Sequence, residues 1–212
     1  MITVSEEVLL LMLDHDTGGL NAEFSLPSLR HALGGALLMD LSLANRVDAD
    51  LEKLFVVNSE PLGMAVLDEA LTKIAAEDRQ QSTGHWARVF ADDYEHIQPQ
   101  LLEHLVDRGI LLRASLDRMA APDAQDRHTK EDRPLWDVRQ RIIYELLSST
   151  ILDARDVAII SLIDACALWS GLLDPDSLDE LRPKIKKFAK IELIGQAVAD
   201  AMEEQSRRQD AV

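Results

Sequence analysis

Apolar positions along this chain recur mostly at three- and four-residue intervals, which predicts a series of helices. Thr3-Val4-Ser5 offers an N-cap, and Glu6 and Glu7 place acids in a first turn, where a helix dipole favours them. A short apolar helix over Glu6–Leu13 follows, closed by the stretch Asp14 to Gly19. Leu26-Pro27-Ser28 then leads into a long helix ending near Asn45. Its Leu29, Leu33, Leu37 and Leu41 stripe is widened by Ala36, Leu38 and Met39, so this helix is expected to be central and buried.

Lys53–Asn58 is β-prone and bounded by Ser59 and Pro61, and predicts a strand. Helices are expected over Ala65–Glu77, Thr83–Ala91 and Glu95–Arg108, the last closed by Gly109. Ile110–Leu116 reads as a second strand, and residues 118–133, without apolar periodicity, as a loop that interrupts a hairpin. Pro134–Leu147 and Arg155–Ser170 read as helices. Leu178–Leu181 reads as a short turn, and Pro183 as the first residue of a final helix to about Met202. The fold class expected is mainly α, one globular helical domain over residues 1–204 with a small β-hairpin excursion. Residues 205–212 are expected to be a frayed polar tail.

Composition sharpens this picture. Of the 212 residues 47% are hydrophobic and only 4% aromatic, so the core must be aliphatic, which suits helix-on-helix packing. The net charge of -16 argues against nucleic-acid binding, which needs a clustered basic surface. The charge is uneven: residues 1–106 hold 18 acids and six bases, residues 107–212 hold 20 and 16, so an anion-binding surface is expected in the second half. The single cysteine, Cys166, lies in an apolar run and reads as a core residue. No stretch approaches the ~20 apolar residues of a membrane span, and no basic segment precedes the first apolar run. The expected location is cytoplasmic, at most peripheral at a membrane surface.

Four segments carry a resemblance in one order. They are Glu6-Glu7-Val8-Leu9-Leu10-Leu11-Met12-Leu13-Asp14, Leu33-Gly34-Gly35-Ala36-Leu37-Leu38-Met39-Asp40-Leu41-Ser42-Leu43-Ala44-Asn45-Arg46-Val47, Val66-Leu67-Asp68-Glu69-Ala70-Leu71, and Leu101 to Leu111 with Leu105-Val106-Asp107-Arg108-Gly109-Ile110-Leu111. Together they resemble the Golgi phosphoprotein 3 family, closely over residues 3–112 and more loosely over 134–204. The resemblance implies a helical fold and non-enzymatic binding of phosphatidylinositol 4-phosphate at a membrane, with homo-oligomerisation through a hairpin that falls on residues 110–136 here. The family's lipid-site tryptophan falls on Ser25, its helix arginine on Gly34, and its basic pair on Glu95 and Gln98. None of the four keeps the chemistry that grips a phosphate.

Other basic residues near that region are Arg30, His31 and Arg88, the candidates for a replacement headgroup pocket; ordinary surface pairing is the competing account. The densest basic run holds Arg182, Lys184, Lys186, Lys187 and Lys190, with Ile185 and Phe188 on one helical face, and is the candidate membrane-surface helix. Its competing account is a solvated face on a core helix. Asp14-His15-Asp16 reads as a solvated turn, and the six histidines show no metal-ligand spacing, so no metal, cofactor or catalytic residue is expected. Gly34-Gly35 reads as a site of close helix approach, and Trp136 as the tryptophan suited to an interface. Two readings of function result: a phosphoinositide-binding peripheral membrane protein, and a protein-interaction adaptor that has lost lipid binding.

Overall fold

The computed structural model describes residues 2–14, 19–50, 52–111, 133–148 and 152–209, without the side chains of 133–137, 208 and 209. Its helices are α1 (Val4–Met12), α2 (Leu26–Leu43), α3 (Ala65–Ala75), α4 (Thr83–Asp92), α5 (Tyr94–Asp107), α6 (Arg133–Leu147), α7 (Ala154–Ala165), α8 (Pro175–Ala189) and α9 (Leu193–Gln209). A two-stranded antiparallel hairpin, β1 (Val47–Ala49) with β2 (Leu54–Val56), sits between α2 and α3.

Ser25 starts α2: its hydroxyl accepts from the Ser28 amide at 3.2 Å, and Pro27 lies in the first turn, where its missing N–H costs nothing. The helix is apolar around most of its circumference and contacts α1, α3, α4, α5, α7 and α9. Its two glycines set the spacing. A Cβ on Gly34 would lie 2.6 Å from the Ala87 carbonyl oxygen and 2.9 Å from the Ala91 nitrogen; on Gly35 it would meet Leu162 and Val198 side chains. So α4 is pressed directly against α2, as the glycine pair suggested. Asn45 ends α2 with φ 54°, a left-handed conformation that asparagine tolerates.

The α1 helix is held by charge as much as by its apolar residues. Thr3 and Glu6 form a reciprocal capping box, and all nine helix residues are buried. Asp40 of α2 accepts from the Val4 and Ser5 amides at 2.7 and 2.8 Å, an anion placed on the helix N-terminus from another element. Glu6 faces α5: His104 Nδ1 donates to it at 2.8 Å and Arg108 at 3.0 Å. Glu7 points the other way, to Arg141 of α6 through two bonds of 2.9 and 2.8 Å, and to Arg155 of α7 at 2.9 Å. Arg141 also reaches Asp156 at 3.1 Å. Neighbouring acids of one turn thus tie three further helices together.

Burial raises the Asp40 carboxyl above its ordinary value, and hydrogen bonds from Ser5 and Val4 offset only part of that. The folded chain therefore holds this proton more tightly than the unfolded one. The resulting stabilisation is full below the ordinary carboxyl value and is lost as pH rises through the raised one. The stability of wild type relative to Asp40→Asn should accordingly fall as pH rises from the ordinary carboxyl value to the raised one, and level off above it. Denaturant titrations at several acidic pH values measure it, and a relative stability that rises with pH would refute the assignment.

Several expected elements differ in detail. The strand at Lys53–Asn58 is three residues long, Leu54–Val56, and its partner Val47–Ala49 was not anticipated; Val47 pairs with Val56 and Ala49 with Leu54. Ile110 and Leu111 form a bend instead of a strand start, and residues 112–132, the rest of the expected strand and loop, lie outside the described residues. The expected helix over Arg155–Ser170 stops at Ala165, because Ala167 turns back with φ 54° and a 3-10 turn, Trp169–Gly171, follows. The largest correction concerns Pro183. It lies inside α8, whose start is Asp174, its carboxylate accepting from the Ser177 amide at 3.0 Å, with Pro175 in the first turn. Leu178–Leu181 is therefore helix. Chain direction changes near Glu192, whose carboxylate accepts from the Ile194 and Gly195 amides and opens α9. That helix continues to Gln209, past the expected helix end near Met202.

Candidate functional site

A surface that binds an anionic headgroup needs cations not already committed to the protein. Arg30 projects from the first turns of α2, where Glu95 holds it at 2.9 Å and the Tyr94 ring lies 5.9 Å below its guanidinium. Burial pushes the Tyr94 hydroxyl up to about 12, so it stays a neutral phenol. His31 is only 2% exposed, and its Nδ1 donates to the Pro27 carbonyl at 2.9 Å. It belongs to the core. Arg88 of α4 approaches Glu204 of α9 at 3.8 Å. Among the described residues the three candidates thus go to separate partners. The positions implied by resemblance are structural too: Ser25 is a helix cap, Gly34 is sealed against α4, and Glu95 is the partner of Arg30.

The basic run on α8 divides more usefully. Lys184 turns inward, its ammonium donating to the carbonyls of Glu145 and Leu146 at 3.1 and 2.7 Å and to that of Ser148. It caps the C-terminal end of α6, where the last carbonyls have no helical partner. Lys186 pairs with Asp164 at 3.0 Å and Arg182 with Asp179 at 3.4 Å. Lys187 and Lys190 are exposed and have no ion partner among the described residues. They stand three residues apart beside Ile191, which is 66% exposed. Leu147, 64% exposed, and Tyr144, 68% exposed, lie at the end of α6 that Lys184 ties to α8. The result is a corner with two available cations and exposed apolar side chains.

Sequence reasoning found this segment from its density of lysines but could not tell which were committed. It read Glu6 and Glu7 only as dipole acids. Two adjacent carboxylates among eight apolar neighbours gave one available signal, since such acids are rarely buried unless paired. Asp14 is described, while His15 and Asp16 are not. Cys166 is buried and free, its thiol pushed up by burial. Trp86 and Trp169 are core residues, and the Trp136 side chain lies outside the description. Among the described residues no group of three His, Cys, Asp or Glu is placed to hold a metal ion, and no helix is long and apolar enough to cross a membrane.

A central apolar helix wrapped by shorter ones, with a small two-stranded hairpin, defines a mainly helical globular fold. The chain belongs to the Golgi phosphoprotein 3 (GPP34) family, whose model matches residues 4–205. No curated protein matches the chain.

Proposed function

We propose that this chain is a non-enzymatic peripheral membrane protein that binds anionic phospholipid headgroups, phosphoinositides among them, from the cytoplasmic side. The contact is the C-terminal end of α8 and not the pocket the family resemblance implies. One observation carries this reading: Lys187 and Lys190 are exposed, have no ion partner among the described residues and stand beside exposed Ile191, in a protein of net charge -16. Each cation close to an anionic leaflet contributes about 1 kcal/mol, and burying an isoleucine adds about 2 kcal/mol. That sum is weak for one copy and opposed by the net acidic charge, so several copies on one surface are needed for stable attachment.

Flotation with liposomes containing phosphatidylinositol 4-phosphate, phosphatidylserine or neutral lipid, at two salt concentrations, tests it. Binding is expected on both anionic mixtures, weaker at high salt, and lost in Lys187→Glu/Lys190→Glu. Indifference to anionic lipid would overturn it. The competing reading, an adaptor that has lost lipid binding, is favoured by the packing of Gly34 against α4, which leaves no room for the family's arginine there. A specific protein partner captured without any lipid binding would support that alternative.

A further inference from the structure

The turn between α8 and α9 carries a largely buried carboxylate at the corner that holds the lysines. Glu192 follows Lys190 and Ile191 directly and precedes Leu193, which is 39% exposed. Its side chain turns back into the fold. The carboxylate accepts from the Ile194 amide at 3.2 Å and from the Gly195 amide, and so caps the first turn of α9. Gly195 makes this possible. A Cβ there would overlap the buried Ser161 hydroxyl of α7 and lie 3.1 Å from Glu192 Oε2.

Burial raises the Glu192 carboxyl above its ordinary value, and the two amides and the Ser161 hydroxyl offset only part of that. The other titratable groups on the adjoining stretches are engaged elsewhere or face water. Asp164 of α7 pairs with Lys186 at 3.0 Å, and Lys187 and Lys190 of α8 and Asp200 of α9 are exposed. From α4 come His85 and Arg88, the latter 3.8 Å from Glu204. Glu192 is the single acid between Lys187 and Leu193. Its charge subtracts from the attraction of the two lysines for an anionic leaflet, so neutralising it is equivalent to adding about one cation. A neutral carboxyl is also less costly than a carboxylate to bring against apolar lipid.

On the basis of the membrane contact proposed above, we infer that Glu192 makes that contact pH-dependent: the corner binds an anionic surface weakly while Glu192 is ionised and more tightly once it takes up a proton.

Flotation of the full chain on phosphatidylglycerol liposomes, from neutral pH down toward the ordinary glutamate value, tests this. At neutral pH Glu192→Gln should bind about fivefold more tightly than wild type, and wild type should close that gap as pH falls. Glu77→Gln removes the same charge at an exposed position just after α3 and should follow wild type throughout. A wild-type pH profile that matches that of Glu192→Gln would overturn the inference and leave the lipid contact standing. No binding by any of the three at any pH would overturn the lipid contact, and this inference with it. Should Glu192→Gln fail to fold, an NMR titration of the wild-type glutamate carboxyls decides. A Glu192 midpoint above the ordinary value that coincides with the rise in liposome binding upholds the inference, and any other midpoint refutes it.

Discussion

Glu7→Gln is expected to lower the unfolding free energy by about 3 kcal/mol. Breaking a buried ion pair by removing one partner costs about 3–5 kcal/mol, because the remaining charge stays desolvated. Here the lower end applies. Glu7 is 4% exposed as a side chain, but Arg141 and Arg155 are 37% and 19% exposed, so water recovers part of the loss. Asp156 also stays near Arg141, at 3.1 Å. For a chain of this size the change corresponds to a fall in Tm of about 6–12 °C. Arg141→Met should cost a similar amount, and the double variant less than the sum, since both changes remove one interaction. By contrast, Glu95→Gln breaks an exposed pair and should cost under about 1 kcal/mol. Chemical denaturation of the four variants measures this. A Glu7→Gln midpoint no lower than that of Glu95→Gln would show that the α1 network adds nothing to stability.

Restoring the family's arginine at position 34 should damage this protein instead of giving it a lipid pocket. A Cβ at Gly34 already lies 2.6 Å from one backbone atom of α4 and 2.9 Å from another. Backbone cannot rotate away as a side-chain tip can, so α2 and α4 must separate along their closest contact. Overpacking of this kind costs about 1–3 kcal/mol for small intrusions, and Gly34→Arg should exceed that range. Gly35→Ala makes a useful contrast, since it meets only the ends of Leu162 and Val198. It also gains about 1 kcal/mol of helix propensity, and is expected to be near neutral. Urea midpoints for the two variants, with liposome flotation of whatever folds, test the claim. A stable Gly34→Arg protein that binds phosphatidylinositol 4-phosphate selectively would show that α4 yields and that the family pocket can be rebuilt here.

Helix periodicity was legible because it is local. The caps at Thr3 and Gly109 and the stripe along α2 put the elements within a few residues of where they lie. Misreadings arose where local signals tie. Pro183 fits a helix start as well as a tolerated interior proline, and the choice depended on Asp174 and Pro175, which supply a cap upstream. Val47–Ala49 is too short to carry a two-residue period, so only its pairing with Leu54–Val56 reveals it. The candidate site was half legible. The lysines of α8 were visible as a cluster, but Lys184 is consumed by carbonyls some 40 residues earlier in the chain, at the end of α6.

What the sequence determined by itself was a helical, aliphatic, acidic domain with a buried α2, because propensity, capping and hydrophobic period are properties of neighbouring residues. Only the tertiary structure decided which charges are available. Arg30, Arg88, Lys184 and Lys186 find their partners on other elements, and Glu6 and Glu7 draw arginines from three helices. Whether a charge is spent inside the fold or offered to a ligand depends on distances of a few ångströms between segments far apart in the chain, and no local pattern encodes those.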